Sequence, residues 1–405
     1  MTKAASESHN GKPGPLSTAP VFHIDPESFA ADPYPALKEM QAECPIARVP
    51  ELGATLFLRR DDIFAQEKRI DVFSSDQPKG LMTRLMGQNM MRKDGEDHAV
   101  ERRATFPAFS PRTVRDHWQA AFEAAATALL DRLAPLGEAD LVDDFARPLA
   151  GEALRVITGL ASMSAAEIDS TSQAMIDGIA NYTGDPEVEA RCRAATALID
   201  EHVRAAIPKK REAHDMSLIS VQLQAGLPEE AIAANVKLAI SGGQNEPRDV
   251  IAGTAWALLA HPEQRAMIEA GAATWQQAFE EYARWISPIG MSPRRVARQA
   301  EVGGVRFEPE ELVFFMFSAA NRDPAHFTDP EIFDITRDTS PSIAFGAGPH
   351  FCAGAAASRT LIADVALPML FARLPGLRLA GDPADVRFHG WAFRGPLGVP
   401  VAWDA

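Results

Sequence analysis

The chain has 405 residues, 46% of them hydrophobic and 23% charged, and carries a formal net charge of −15. That is ordinary globular composition, and an acidic surface repels phosphate backbones, so nucleic acid is not an expected partner. Three widely spaced cysteines, Cys44, Cys192 and Cys352, form neither a disulfide framework nor a Cys-x-x-Cys clip, which suits a reducing, cytoplasmic compartment.

Residues 1–20 are rich in Ser, Gly, Pro and Lys and read as a flexible tail, with no signal peptide or membrane anchor. No stretch approaches the roughly 18 uninterrupted apolar residues of a spanning helix. A short amphipathic helix is expected from about Asp32 to Glu43, then two short strands within 46–60. Residues 61–95 read as irregular and Met-rich, with Met82, Met86, Met90 and Met91 as a candidate cover for a pocket. Helical periodicity dominates from about Glu96 to Ile286, including one long helix through Lys237–Pro247. After Pro288 the texture changes to short strands and turns. A hairpin is expected at Val302–Phe307, a last long helix from Ala353 to about Leu374, and a strand-rich tail ending at Trp403. Nothing interrupts residues 21–405, which read as one mainly α domain with small β-sheets.

The segment carrying the most chemistry is Phe345-Gly-Ala-Gly-Pro-His-Phe-Cys-Ala-Gly354. Cys352 stands directly ahead of a helix and behind a glycine-bearing loop. Unpaired N–H groups and the positive end of the helix dipole favour a thiolate there. The small residues after it would let the helix lie flat beneath a planar ligand.

The loop resembles the cysteine-ligand loop of the cytochrome P450 family, Phe-x-x-Gly-x-x-x-Cys-x-Gly, at all four defining positions. The resemblance covers the chain from about Asp32 to Trp403. It implies the cytochrome P450 fold around a buried haem b, with Cys352 as axial iron ligand and Phe345, Gly348 and Gly354 shaping its loop. Glu281 and Arg284 resemble the family's Glu-x-x-Arg pair, with Arg337 as the third member of a structural triad. His98 and Arg102, four apart on one helix face, resemble a propionate grip, and Arg295 and His350 match the other propionate partners.

Gly242-Gly-Gln-Asn-Glu-Pro247 departs from the family's Ala/Gly-Gly-x-Asp/Glu-Thr. Asn245 stands at the acid's place and Glu246 at the threonine's, as candidate catalytic residues. A carboxyl in a dry pocket has a raised pKa and holds a proton to deliver.

The Gln244–Pro247 segment and Gly390–Pro396 resemble a branch of demethylases of lignin-derived methoxyaromatics such as guaiacol and syringol. That likeness offers Phe73, Tyr182, Ile289, Pro293 and Phe393 as substrate wall, and Gly242 joins them by leaving room at the oxygen site. The implied activity is monooxygenation of a small aromatic substrate with O2, by hydroxylation or O-demethylation. Electrons would come from a separate ferredoxin or flavin reductase docking near Arg102, Arg103, Arg112 and Arg115. Three alternatives stay open: a peroxide-driven peroxygenase using Glu246, a terpene, steroid or fatty-acid hydroxylase, and a non-catalytic haem-binding sensor.

Overall fold

A computed structural model describes residues 17–181 and 184–405; Tyr182 and residues 1–16 of the expected tail lie outside them, while the tail's last residues are packed, with Ala19 buried and Ser17 Oγ 2.8 Å from Thr55 Oγ1. Helices dominate, and the strands gather into small sheets. The largest sheet draws on β1 (Ile46–Val49), β2 (Ala54–Phe57), β3 (Phe73–Ser74), β4 (Ser292–Val296) and β7 (Leu312–Phe315), in the order β1-β2-β7-β4-β3. Between β4 and β7, β5 (Ala300–Val302) and β6 (Val305–Phe307) form the expected hairpin. Gly303 and Gly304 turn it with φ of 56° and 77°, a conformation that costs glycine little.

Phe73 is fully buried among the rings of Phe57, Phe307 and Phe315, with centroids 5.4–5.7 Å away. It therefore builds the sheet's core and is not substrate wall. The segment expected to be irregular holds two short helices, Arg60–Gln66 and Leu81–Met86.

Several helices position the candidate site. α1 (Gly95–Phe109) carries His98 and Arg102. The expected long helix through Lys237–Pro247 is instead two, α2 (Glu229–Ser241) and α3 (Asn245–Ala260). Proline has no N–H to continue a helix, but it is tolerated in a first turn, where that donor would be unpaired anyway. Pro247 sits in the first turn of α3, so the chain breaks at Gly242–Gln244. A Cβ on Gly243 would lie 2.5 Å from the Ala239 carbonyl oxygen, so only glycine fits this close turn.

α4 (Trp275–Ile286) opens with a reciprocal cap in which Gln277 N–H donates to Thr274 Oγ1 and Gln277 Oε1 accepts from Thr274 N–H. It carries Glu281 and Arg284, whose side chains are fully buried and joined by two hydrogen bonds of 2.7 Å. Arg337 Nε adds a third at 3.2 Å, and Arg284 also donates to the Asn321 and Pro330 carbonyls. These bonds fasten the helix to the irregular segment before the cysteine loop.

α5 (Ala355–Arg373) follows that loop and is long and apolar enough to cross a membrane. Its apolar residues Leu361, Ile362, Val365, Leu367 and Leu370 are buried in the main helical core, which accounts for that composition.

Candidate active site

One cavity of about 1050 Å³ is lined by α1, α2, α3, α4, β4, the cysteine loop and the Trp391–Phe393 turn. Cys352, Phe345, Gly346 and Gly354 belong to its wall. The loop around Cys352 is closed by its own backbone, with Cys352 N–H donating to the Phe345 carbonyl at 2.9 Å. Gly348 lies off the wall, at a turn with φ of 64°. Its role is to let the loop pass Glu67: a Cβ there would meet the Glu67 carbonyl oxygen at 3.1 Å.

The expectation of a thiol acidified by the helix start needs correction. Burial pushes the Cys352 thiol up, and the Gly354 N–H and Arg102, which pull it down, do not overcome that. A bound metal cation, which takes the thiolate as ligand, is the charge that would reverse this balance.

A cluster of basic side chains shares the wall: Arg92, His98, Arg102, Arg294 and His350. The His98 and His350 rings lie 4.2 Å apart. Burial, together with neighbouring basic groups, lowers His98 to about 4. His350 is lowered too, chiefly by burial, although its Nε2 lies 2.9 Å from Asp94 Oδ1.

Arg295, expected in this cluster, lies off the wall. Its guanidinium pairs with Glu310 at 2.5 Å and donates to the Asp76 carbonyl at 2.9 Å. Arg294 takes the place instead, because successive side chains of β4 point to opposite faces. Period-two alternation could have found this, had the strand's register been known. Glu67, also on the wall, carries no sequence signal.

Glu246 lines the cavity, and neither carboxylate oxygen has a hydrogen-bond partner. Burial pushes its carboxyl up to about 7. Asn245 does not reach the cavity; its Oδ1 accepts from Arg248 Nη1 at 3.3 Å on another face of α3. Gly242, Ile289, Pro293 and Phe393 all reach the wall. Ile289 and Phe393 are neighbours across an antiparallel bridge, clamped by a Gly290 N–H bond to the Ala392 carbonyl at 2.9 Å. Leu154, Leu238, Ala239 and Val250 complete this apolar region, and Met82, Met90 and Met91 contribute to the cover.

Whether these residues suit haem can be judged from their chemistry. A flat macrocycle with two carboxylates needs a soft axial donor, close-approaching backbone and a cationic edge. The wall supplies a thiol, two glycines in its loop, and the guanidinium groups of Arg102 and Arg294, the latter shared with Glu67. The buried Nε of Arg294 has no partner, as expected of a donor meant for an anion. The set fits.

A haem-thiolate monooxygenase is the class of protein that this fold and cavity define. The family model described as Cytochrome P450 matches residues 275–365, which span α4, the cysteine loop and the first part of α5. "Cytochrome P450 107B1" of Saccharopolyspora erythraea is 33% identical over 78% of this chain and 77% of its own. "6-Deoxyerythronolide B hydroxylase" of the same organism is 29% identical over 96% of this chain and 100% of its own. The solved structure of P450BioI with a hexadec-9Z-enoic acid-ligated acyl carrier protein superposes with a TM-score of 0.85 at 26% identity, covering 93% of this chain and 100% of that one. The chain belongs to the cytochrome P450 family.

Proposed function

We propose that this monooxygenase oxidises a small aromatic substrate, with Cys352 holding the haem iron, Arg102, His98, Arg294 and His350 holding its propionates, and Glu246 supplying protons. Haem held by these residues would supply the activation of O2, with the Cys352 thiolate as its electron-rich ligand. The chain's part is to exclude water, orient the substrate and manage protons.

The observation that carries the proton assignment is the pair of unpartnered Glu246 oxygens at the cavity wall, on a carboxyl with a pKa of about 7. Such a group holds its proton near neutrality and can release it, the compromise that general acid–base chemistry needs. The clamped Ile289–Phe393 pair and Pro293 offer a flat apolar face for an aromatic ring. Hydroxylation of a methyl ether gives a hemiacetal that collapses to a phenol and formaldehyde. The reaction consumes O2, a pair of electrons and a pair of protons, and releases water. The electrons come from a separate ferredoxin or flavin-containing donor.

A second reading is favoured by the reach of the cavity, which extends away from the cysteine loop to Lys79, Arg84 and Glu189. On this reading the substrate is longer, a fatty acyl or polyketide chain, as the names of the similar proteins suggest for them. Spectral titration of the ferric protein with methoxyphenols, methoxybenzenes, terpenes and fatty acids separates the two. A low- to high-spin change with methoxyaromatics alone supports the aromatic reading; a change with fatty acids alone replaces it.

A further inference from the structure

We propose that Glu67 is a positioning residue that ties the cysteine loop to Arg294, so that one buried negative charge governs both the seat of Cys352 and the polarity of the haem site. The inference rests on the haem-thiolate reading of Cys352.

Glu67 closes the helix Arg60–Gln66, its N–H bonding back to the Ile63 carbonyl, and this helix end directs the side chain inward. The residue is 2% exposed. One carboxylate oxygen accepts from Arg294 Nη2 at 2.9 Å, and the other accepts from the Ala347 N–H in the cysteine loop. Both donors are obligatory: an amide N–H and a guanidinium cannot accept. Both carboxylate oxygens therefore act as acceptors, and these two donors hold the carboxylate against burial, which pushes the Glu67 carboxyl up.

The loop is shaped to reach it. Gly346 and Gly348 both have positive φ, 73° and 64°, and a Cβ on Gly346 would stand 3.4 Å from Glu67 Oε2. Arg294 is held in turn by Ser292 Oγ at 2.5 Å and the Pro293 carbonyl at 3.0 Å, which leaves Nε without a partner. Glu67 thus joins two parts of the site that approach from distant segments, the loop bearing the thiol and the strand bearing a propionate cation. A fixed negative charge in a low-dielectric wall favours the more positive, ferric state of a neighbouring iron centre.

The test compares the parent holoprotein with Glu67→Gln and Glu67→Asp. Haem content, ferric–ferrous midpoint potential and the absorption of the ferrous CO complex are measured for each. Glu67→Gln keeps the size and loses the charge, so its potential is expected to move positive, with part of the thiolate-type CO band lost. Glu67→Asp keeps the charge and should lie closer to the parent in potential. A Glu67→Gln potential and CO spectrum identical to the parent's would overturn the proposal. If Glu67→Gln does not fold, amide exchange in the parent decides. Slow exchange at Ala347 supports the tie, and exchange at the rate of an open loop overturns it. A parent protein without a thiolate-type CO band would bring down the Cys352 reading instead, a failure distinct from either outcome for Glu67.

Discussion

Arg294 and Arg295 are neighbours on one strand, yet the first reaches the cavity wall and pairs with Glu67, while the second turns outward to Glu310. A single step along a strand exchanges the two faces of the sheet. The expected consequence is asymmetric. Arg294→Ala should lower haem retention at least tenfold in a competition with apomyoglobin, whereas Arg295→Ala should leave it within twofold of the parent. Equal losses from both would place the propionate cation elsewhere.

Glu246 gives a pH signature. Its folded pKa of about 7 lies above the ordinary glutamate value of 4.5. The folded state therefore holds this proton more tightly, so stability is greatest below about 4.5 and falls as pH rises toward about 7. At about 1.4 kcal/mol per unit, the whole effect is a few kcal/mol at most. Glu246→Gln should flatten this part of the stability profile, read by denaturant unfolding across the same range. The same variant should divert electrons into peroxide or water while binding substrate with little change. Unchanged coupling would remove Glu246 from the proton path. Turnover with hydrogen peroxide alone, lost in Glu246→Gln, would mark the enzyme as a peroxygenase.

Phe393 is held against Ile289 by the bridge between their backbones. If it stacks on an aromatic ligand, Phe393→Ala should weaken methoxyaromatic binding by about 1–3 kcal/mol, and fatty acids by less. An equal loss for both classes would show that the ring is general cavity wall.

The Glu281–Arg284 pair is fully buried, so removing one partner strands a charge. Glu281→Ala should cost about 3–5 kcal/mol in unfolding free energy or prevent accumulation of folded protein. A loss below about 1 kcal/mol would mean that the backbone carbonyls around Arg284 suffice without the carboxylate.

Much of the architecture was legible because its signals are local. The β5–β6 hairpin follows from its glycine pair, the cysteine loop from its four fixed positions, and α5 from a run of small and apolar residues interrupted by Ser358, Arg359, Thr360 and Asp364. What escaped depends on which way a side chain points. Phe73 has the composition of a pocket residue, but three other rings surround it in the sheet. Asn245 is adjacent to Glu246, but adjacent helical residues face about 100° apart, and only Glu246 reaches the cavity. Arg295 failed by one residue of strand register. Glu67 stands 280 residues from its partner Ala347, and no local pattern connects them.

The central claim is that Cys352 holds the haem iron as its thiolate. The absorption spectrum of the ferrous CO complex, recorded for the parent and for Cys352→Ser, tests it most directly. The account predicts a red-shifted, thiolate-type Soret band in the parent. Cys352→Ser should lose that band and all monooxygenase turnover. A Cys352→Ser protein that keeps the band, or a parent that never shows it, would contradict the account.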